Sequence, residues 1–298
     1  GGYRQLPEMH LACSGLSVKA AKEEWRQLGL GKKNLTIALD WMHKEFSDAP
    51  TLGSLLSPAK SKASDLISWE ELSKTLNQAL QQEIQKEEGE EQQQVLEAAV
   101  AAKGLAKAAT MMAAQYQWVV TNVPYLARGK QSDTLREYIE KHFPAGKNDL
   151  ATAFLDRSLQ YCVEGGSTSV VLPQNWLFLG SYKTFREQLL HNDTWNMVAR
   201  LGPKGFQTPM WDFNVQLITI TKGNLSAQQG LLGQIDSHHQ LRGVDVADEK
   251  SAEDKASALL ACQVKAVGQA EQLDNPDARI SIDDSGSFKL LREYGDGL

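Results

Sequence analysis

The sequence predicts an α/β fold: a mainly parallel sheet with right-handed crossovers, preceded by a helical region. Three observations carry this expectation. After Tyr116, short apolar runs alternate with stretches of helical period; before it, apolar residues recur at spacings of three and four; and the segments joining the apolar runs are long enough to hold a crossover helix. A chain of 298 residues with 42% hydrophobic content has ample material for a buried core, in one large or two ordinary domains.

Residues 1–115 read as helical. Leu16, Ala20, Ala21, Trp25 and Leu28 share one face, with Ser17 placed to cap it, and Leu35, Leu39, Met42 and Phe46 repeat the pattern before SDAPTLGSLLSP breaks it. From Trp69 onward Leu72, Leu76, Leu80 and Ile84 recur every four residues. The polar run QQEIQKEEGEEQQQ then leads into an Ala-rich helix from about Val95 to Met112. A helical hairpin over 69–112, bent at Gly89 with a solvated tip, accounts for this; a partner-binding coiled coil is the alternative.

Residues 116–224 form the α/β segment. YQWVVT is a strand, DTLREYIEKHF a helix with Leu135, Tyr138, Ile139 and His142 aligned, and DLATAFLDRSLQYCV a second helix stopped by Gly165 and Gly166. STSVVL is the next strand and SYKTFREQLL the next helix, with Tyr182, Phe185 and Leu189 on one side. TWNMVA and NVQLITI close the segment as two strands, and the loop between them allows an antiparallel pair. Residues 225–298 read as an acidic connector around one helix, SAEDKASALLACQVKAVGQAEQL.

Charge is unevenly placed. The net charge is −6, yet residues 116–224 hold 11 Lys and Arg against 9 Asp and Glu, while residues 225–298 hold 7 against 13. A polyanion can therefore approach the middle segment. Cys13, Cys162 and Cys262 form no CxxC pair, which disfavours a zinc site or a disulfide framework and fits the cytoplasm. His238 and His239 beside Asp236 suggest a metal cluster, but adjacent side chains diverge and a solvated loop is the better reading; no metal is expected. The Ala-rich stretch is interrupted by Lys103 and Lys107, so no membrane span is expected. The opening GGYRQLPEMH has neither an initiator Met nor a leader's apolar run, which points to a segment of a longer protein.

The chemistry gathers in VVTNVPYL, residues 119–126. In an open α/β sheet ligands collect at the carboxyl ends of strands, where Asn122 to Tyr125 fall. An Asn side-chain oxygen and a neighbouring backbone carbonyl can accept both hydrogens of one planar amino group. Tyr125 supplies a face on which a flat base can stack, and Pro124 stiffens the loop. The same four residues also read as a turn whose Asn bonds its own backbone and whose Tyr joins the core.

With its surroundings, VVTNVPYLARGKQ followed by KNDLATAFLDRSLQYCVEGGSTSVVLPQNWLFLGSYKTFREQLL and VARLGPKGF, the motif resembles the amino-group DNA methyltransferases that carry Asn-Pro-Pro-Tyr. The likeness is to the adenine methyltransferases of BREX phage-defence systems and their type IIG restriction-modification relatives. It implies the rear half of a Rossmann-like, S-adenosylmethionine-dependent methyltransferase sheet with a helical N-terminal region or insert. It also implies double-stranded DNA as partner, other defence-system proteins beside it, and rotation of the target adenine out of the helix. Asn122 becomes the side-chain acceptor, Val123 the backbone acceptor in place of the usual Pro, Pro124 the loop's brace, and Tyr125 the stacking ring. Phe206 resembles the aromatic closing on the base's far side. Asp149 and Phe154 resemble cofactor-binding positions, and Arg128 and Lys130 are placed to meet a phosphate. Ordinary core packing is the competing account of Phe154 and Phe206.

The resemblance places a Gly-rich cofactor turn and a ribose-binding acid upstream of Gly1, since CSGLS at 13–17 has one Gly and no preceding strand, and a target-recognition domain beyond Leu298. The sheet is then expected to have an open edge. Two other functions use similar features: methylation of a protein glutamine or RNA base amine, and a non-catalytic module within a defence complex.

Overall fold

A computed structural model describes residues 10–12, 33–60, 90–207, 213–223 and 239–282, with isolated positions between 68 and 81. The helix expected at 17–28, the first arm of the hairpin and its bend at Gly89 lie outside the described residues. The chain divides into two units, Gly1–Ala114 and Gln115–Leu298.

In the first unit, α1 (Lys33–Phe46) buries Leu39, Met42 and Phe46, the face its period predicts, and carries His43 and Lys44 in its last turn, where they complement the helix dipole. A helical turn at Ala49–Leu52 follows, with Pro50 in its first positions and Gly53 ending it. The long helix α2 (Glu90–Ala113) buries Ala102, Leu105, Ala106 and Ala109. Among the described residues no helix is long and apolar enough to cross a membrane.

The second unit is a six-stranded sheet in the order β1-β2-β4-β3-β5-β6. β1 (Tyr116–Asn122) runs parallel to β2 (Cys162–Pro173), and β3 (Thr194–Gly202) parallel to β5 (Gln240–Asp245). β4 (Val215–Thr221) is antiparallel to both β2 and β3, and β6 (Lys265–Gly268) is antiparallel to β5. Four of the six strands thus point one way, with β4 returning between β2 and β3. β1 is an edge among the described strands and leaves Trp118 and Val120 exposed.

Helices α3 (Asp133–His142), α4 (Leu150–Gln160) and α5 (Lys183–Asn192) fill the connections. Ser132 caps α3 by accepting from the Leu135 amide, and Leu135 and Ile139 are its buried residues. The larger core unites Leu155 and Leu159 of α4, Phe185, Leu189 and Leu190 of α5, and Val170, Val198, Ile218 and Ile220 of the sheet. The alternate residues Ala199, Val215 and Val244 face the other way, where α6 (Ala252–Ala261) supplies Ala258 and Leu259.

Two expectations for the tail need correction. Residues 240–282 complete the sheet and core instead of forming a connector: Ile280 and Ile282 are core residues, and the Gln269 side chain accepts from the Trp195 amide and donates to the Leu190 and Asp193 carbonyls at 2.8 Å each. The single long helix expected there is instead a helix, a strand and a short 3-10 turn at Ala270–Leu273. α6 stops at Cys262, whose backbone is extended, and the β-branched Val267 then joins β6. The helical expectation of residues CV after α4 fails likewise, because Cys162 already opens β2.

Asp193 introduces a pH dependence. Burial pushes its carboxyl up to about 6, opposed by a hydrogen bond from the Gly223 amide (3.1 Å) and by Lys222, and reinforced by Asp156 and Glu164. Between the ordinary carboxylate value and about 6 the folded protein binds a proton the unfolded chain does not, so stability falls as pH rises through that window. Asp193→Asn keeps an acceptor for Gly223 without the charge. It is expected to stabilise the protein by roughly 1–3 kcal/mol at pH 7.5 and by nothing below pH ~4, as read from urea denaturation at both pH values.

Candidate active site

Asn122 is the last residue of β1, opposite Val171 of β2, and the Val123 amide extends the ladder by one bond to the Val171 carbonyl (3.4 Å). Pro124 has no N–H to continue it, so the chain leaves the sheet there. Asn122 and Pro124 are exposed, whereas the Val123 side chain is buried in the larger core. That burial compensates for the missing Pro at this position: the loop loses a φ restraint but gains an apolar anchor. Among the described residues no hydrogen bond reaches the Val123 carbonyl.

Tyr125 turns back toward the strand. Its hydroxyl donates to Asn122 Oδ1 over 3.4 Å, a long bond that steadies the amide while leaving the oxygen's second lone pair open. Its ring is half-buried and touches both cores, and this burial raises its hydroxyl pKa. The ring that meets it is that of Phe213, 5.8 Å away and tilted by 57°. Phe206 lies in the same β3–β4 loop, exposed to 41%. The resemblance selects Phe206 as the second aromatic wall, and the structure brings Phe213 to Tyr125 instead. An available signal was the position of Phe213, an aromatic at the entry to a strand that returns beside β2. Gly202, with φ of +66°, lets the chain turn out of β3; a Cβ there would lie 2.8 Å from that of Ala247.

The remaining candidates scatter around this loop. Arg128 is paired with Glu140, whose carboxyl is held low chiefly by the hydrogen bond from that guanidinium. Lys130 is exposed on the following turn. Phe154 is half-buried on α4 against the larger core. Asp149 caps α4, its Oδ1 accepting from the amides of Ala151 (2.8 Å) and Leu126 (3.3 Å). Farther along the same strand ends, Arg200 bridges Asp245 (2.7 Å) and lies over the Phe178 ring. His239, considered above for a metal, shares a hydrogen bond with the Trp195 carbonyl (2.8 Å).

The second unit thus falls in the class of α/β domains that carry an Asn-X-Pro-Tyr loop at the carboxyl end of one strand. Within that class the chain belongs to the Eco57I restriction-modification methylase family, whose model matches residues 17–206. It is 33% identical over 105 residues to adenine-specific methyltransferase PglX of Lacticaseibacillus casei (strain Zhang), covering 35% of this chain and 9% of that protein. It is 32% identical over 162 residues to adenine-specific methyltransferase BrxX of Escherichia coli O9:H4 (strain HS), covering 54% of this chain and 12% of that protein. The match thus spans about a tenth of the length of these curated relatives. Among solved structures, a type I restriction-modification methyltransferase subunit from Streptococcus thermophilus is similar at 13% identity and a TM-score of 0.39, covering 61% of this chain and 45% of that one.

Proposed function

We propose that this chain carries the target-amine side of an enzyme that methylates the exocyclic amino group of adenine in double-stranded DNA, within phage defence or restriction-modification. The observation that carries the reading is the pair of acceptors at the end of β1: Asn122 Oδ1, exposed and steadied by Tyr125, and the Val123 carbonyl beside it. Together they accept the two N–H groups of one amine and turn its lone pair away from the base. As positive charge develops on that nitrogen the same oxygens stabilise it, and they are already oriented to do so. The amine's proton then passes to water. Tyr125 and Phe213 offer aromatic faces to the extruded base, and Phe206 stands in the same loop to close over it.

S-adenosylmethionine, when bound, supplies a methyl group on a cationic sulfur. The residues present fit such a group: the near side chains and carbonyls are acceptors, and the nearby cation Arg128 is engaged by Glu140. Phe154 keeps the role implied for it, packing by the cofactor's adenine. Lys130 and Arg128 keep the role implied for them, contact with DNA phosphates. The small excess of cations over residues 116–224 leaves that segment open to a polyanionic partner, other defence-system proteins would assemble around it, and the cytoplasm is where such a substrate lies.

The test is transfer of radiolabelled methyl from S-adenosylmethionine by the intact protein to duplex DNA, to RNA and to protein, followed by digestion and chromatography. N6-methyladenine from DNA is the expected product. Label in glutamine or in an RNA base would replace the reading with another amine, and absence of label in all three would make the domain a non-catalytic module.

A further inference from the structure

The loop that presents Asn122 to Tyr125 is held at two points. On its entering side the Val123 amide is bonded to Val171 of β2. On its leaving side the bonds converge on residues 148–150, at the start of α4. Asp149 Oδ1 accepts from the Leu126 amide, the Leu150 amide donates to the Leu126 carbonyl (3.0 Å), and the Arg128 amide donates to the Asn148 carbonyl (3.0 Å). Ala127 and Asp149 form an isolated antiparallel bridge, and Gln131 Nε2 adds a second bond to the Leu126 carbonyl (3.1 Å). Asn148 Nδ2 also donates to the Ser181 carbonyl (2.9 Å), which ties the loop after β2 to the same point.

Helix α4 is a firm post for these bonds, because Ala151, Leu155 and Leu159 lock it into the larger core. Of the residues from Val123 to Leu126, only Pro124 and Tyr125 lie between the two clamps. Their position, and with it the spacing of the Tyr125 ring from Asn122, follows from where the clamps stand. Asp149 joins helix cap and loop through a single oxygen, since Ala151 N–H and Leu126 N–H both point at Oδ1.

We propose that Asp149 is a positioning residue for the Asn122–Tyr125 loop, acting through the Leu126 amide. The resemblance gives Asp149 to the cofactor, whereas its contacts give it to the loop. This inference rests on the methyltransferase reading for its effect on rate, but not for its effect on the loop.

Two variants separate capping from clamping. Asp149→Ser retains a good helix cap for the Ala151 amide but is too short to hold Leu126 as well, and Asp149→Asn retains an oxygen for both. In the intact protein, Asp149→Ser is expected to speed hydrogen exchange over residues 123–128 by about tenfold or more while α4 changes by less than about twofold. Its methyl-transfer kcat should fall roughly 10- to 100-fold, the cost of displacing a positioned group by about an ångström, with the KM for S-adenosylmethionine nearly unchanged. Asp149→Asn should restore most of both. Unchanged loop exchange in Asp149→Ser overturns the proposal, as does a selective loss of S-adenosylmethionine affinity without loosening of the loop. Should the wild-type protein transfer no methyl group while the loop loosens as expected, the clamp stands and the methyltransferase reading falls.

Discussion

Replacing Asn122 by Ala in the intact protein is expected to lower methyl transfer to duplex DNA by about 10²–10³-fold, the loss seen when one preorganised group at a developing charge is removed. The side chain is exposed at the end of β1, so the fold should survive, with a denaturation midpoint close to wild type. The Val123 carbonyl remains, but a single acceptor no longer fixes the plane of the amine. The Tyr125 hydroxyl, released from Asn122 Oδ1, turns to water. On the proposed mechanism the acceptor works mainly as charge develops, so kcat should carry most of the loss and the KM for DNA little of it. Wild-type turnover in the variant would remove Asn122 from the mechanism.

The largest effect on stability is expected at Arg186. Its side chain is wholly buried, and its donors satisfy four backbone carbonyls: Nε bonds Ala278 (3.0 Å), Nη1 bonds Trp176 and Leu179 (2.9 Å), and Nη2 bonds Asp277 (2.8 Å). Burial lowers its pKa to about 10, with Arg279 adding to the effect, so it stays charged at neutral pH. Among the described residues no carboxylate takes its donors directly; carbonyl dipoles solvate the cation. Arg186→Met fills similar space but leaves four carbonyls facing an apolar side chain, at a cost of roughly 3–5 kcal/mol. The expected result is a lower urea midpoint at an unchanged slope. Arg186→Lys, with one ammonium in place of a planar fork, should recover only part of it. A change below about 1 kcal/mol in Arg186→Met would show that water replaces the guanidinium.

Much of the fold was legible because its signals are local. The stripe Leu39, Met42, Phe46 lies on a buried helix face, and DTLREYIEKH and KTFREQLLHN form helices where their periods place them. Gln240–Asp245 was not legible as a strand. It is short, carries Arg242 and Asp245, and gains its buried face only because Val198 and Ala199 of β3 are there to receive it. A Cβ on Gly243 would lie 2.5 Å from that of Ile282, a restriction set by a residue far along the chain. In the same way Phe206 and Phe213 are equally aromatic in sequence, and only the folded structure shows Phe213 against Tyr125.

By itself the sequence determined the run of strand, Asn-Val-Pro-Tyr loop and helix, and so which groups stand at the end of β1. Those features follow from residue type and from periods of two and 3.6, which act over a few neighbours. Tertiary structure alone decided that β4 returns between β2 and β3, that the tail completes the sheet, and that the Asp149 carboxylate reaches Leu126. The physical reason is that a hydrogen bond or a buried face needs its partner in place. When that partner lies 23 residues away, as for Asp149 with Leu126, or 92, as for Arg186 with Ala278, no local pattern names it.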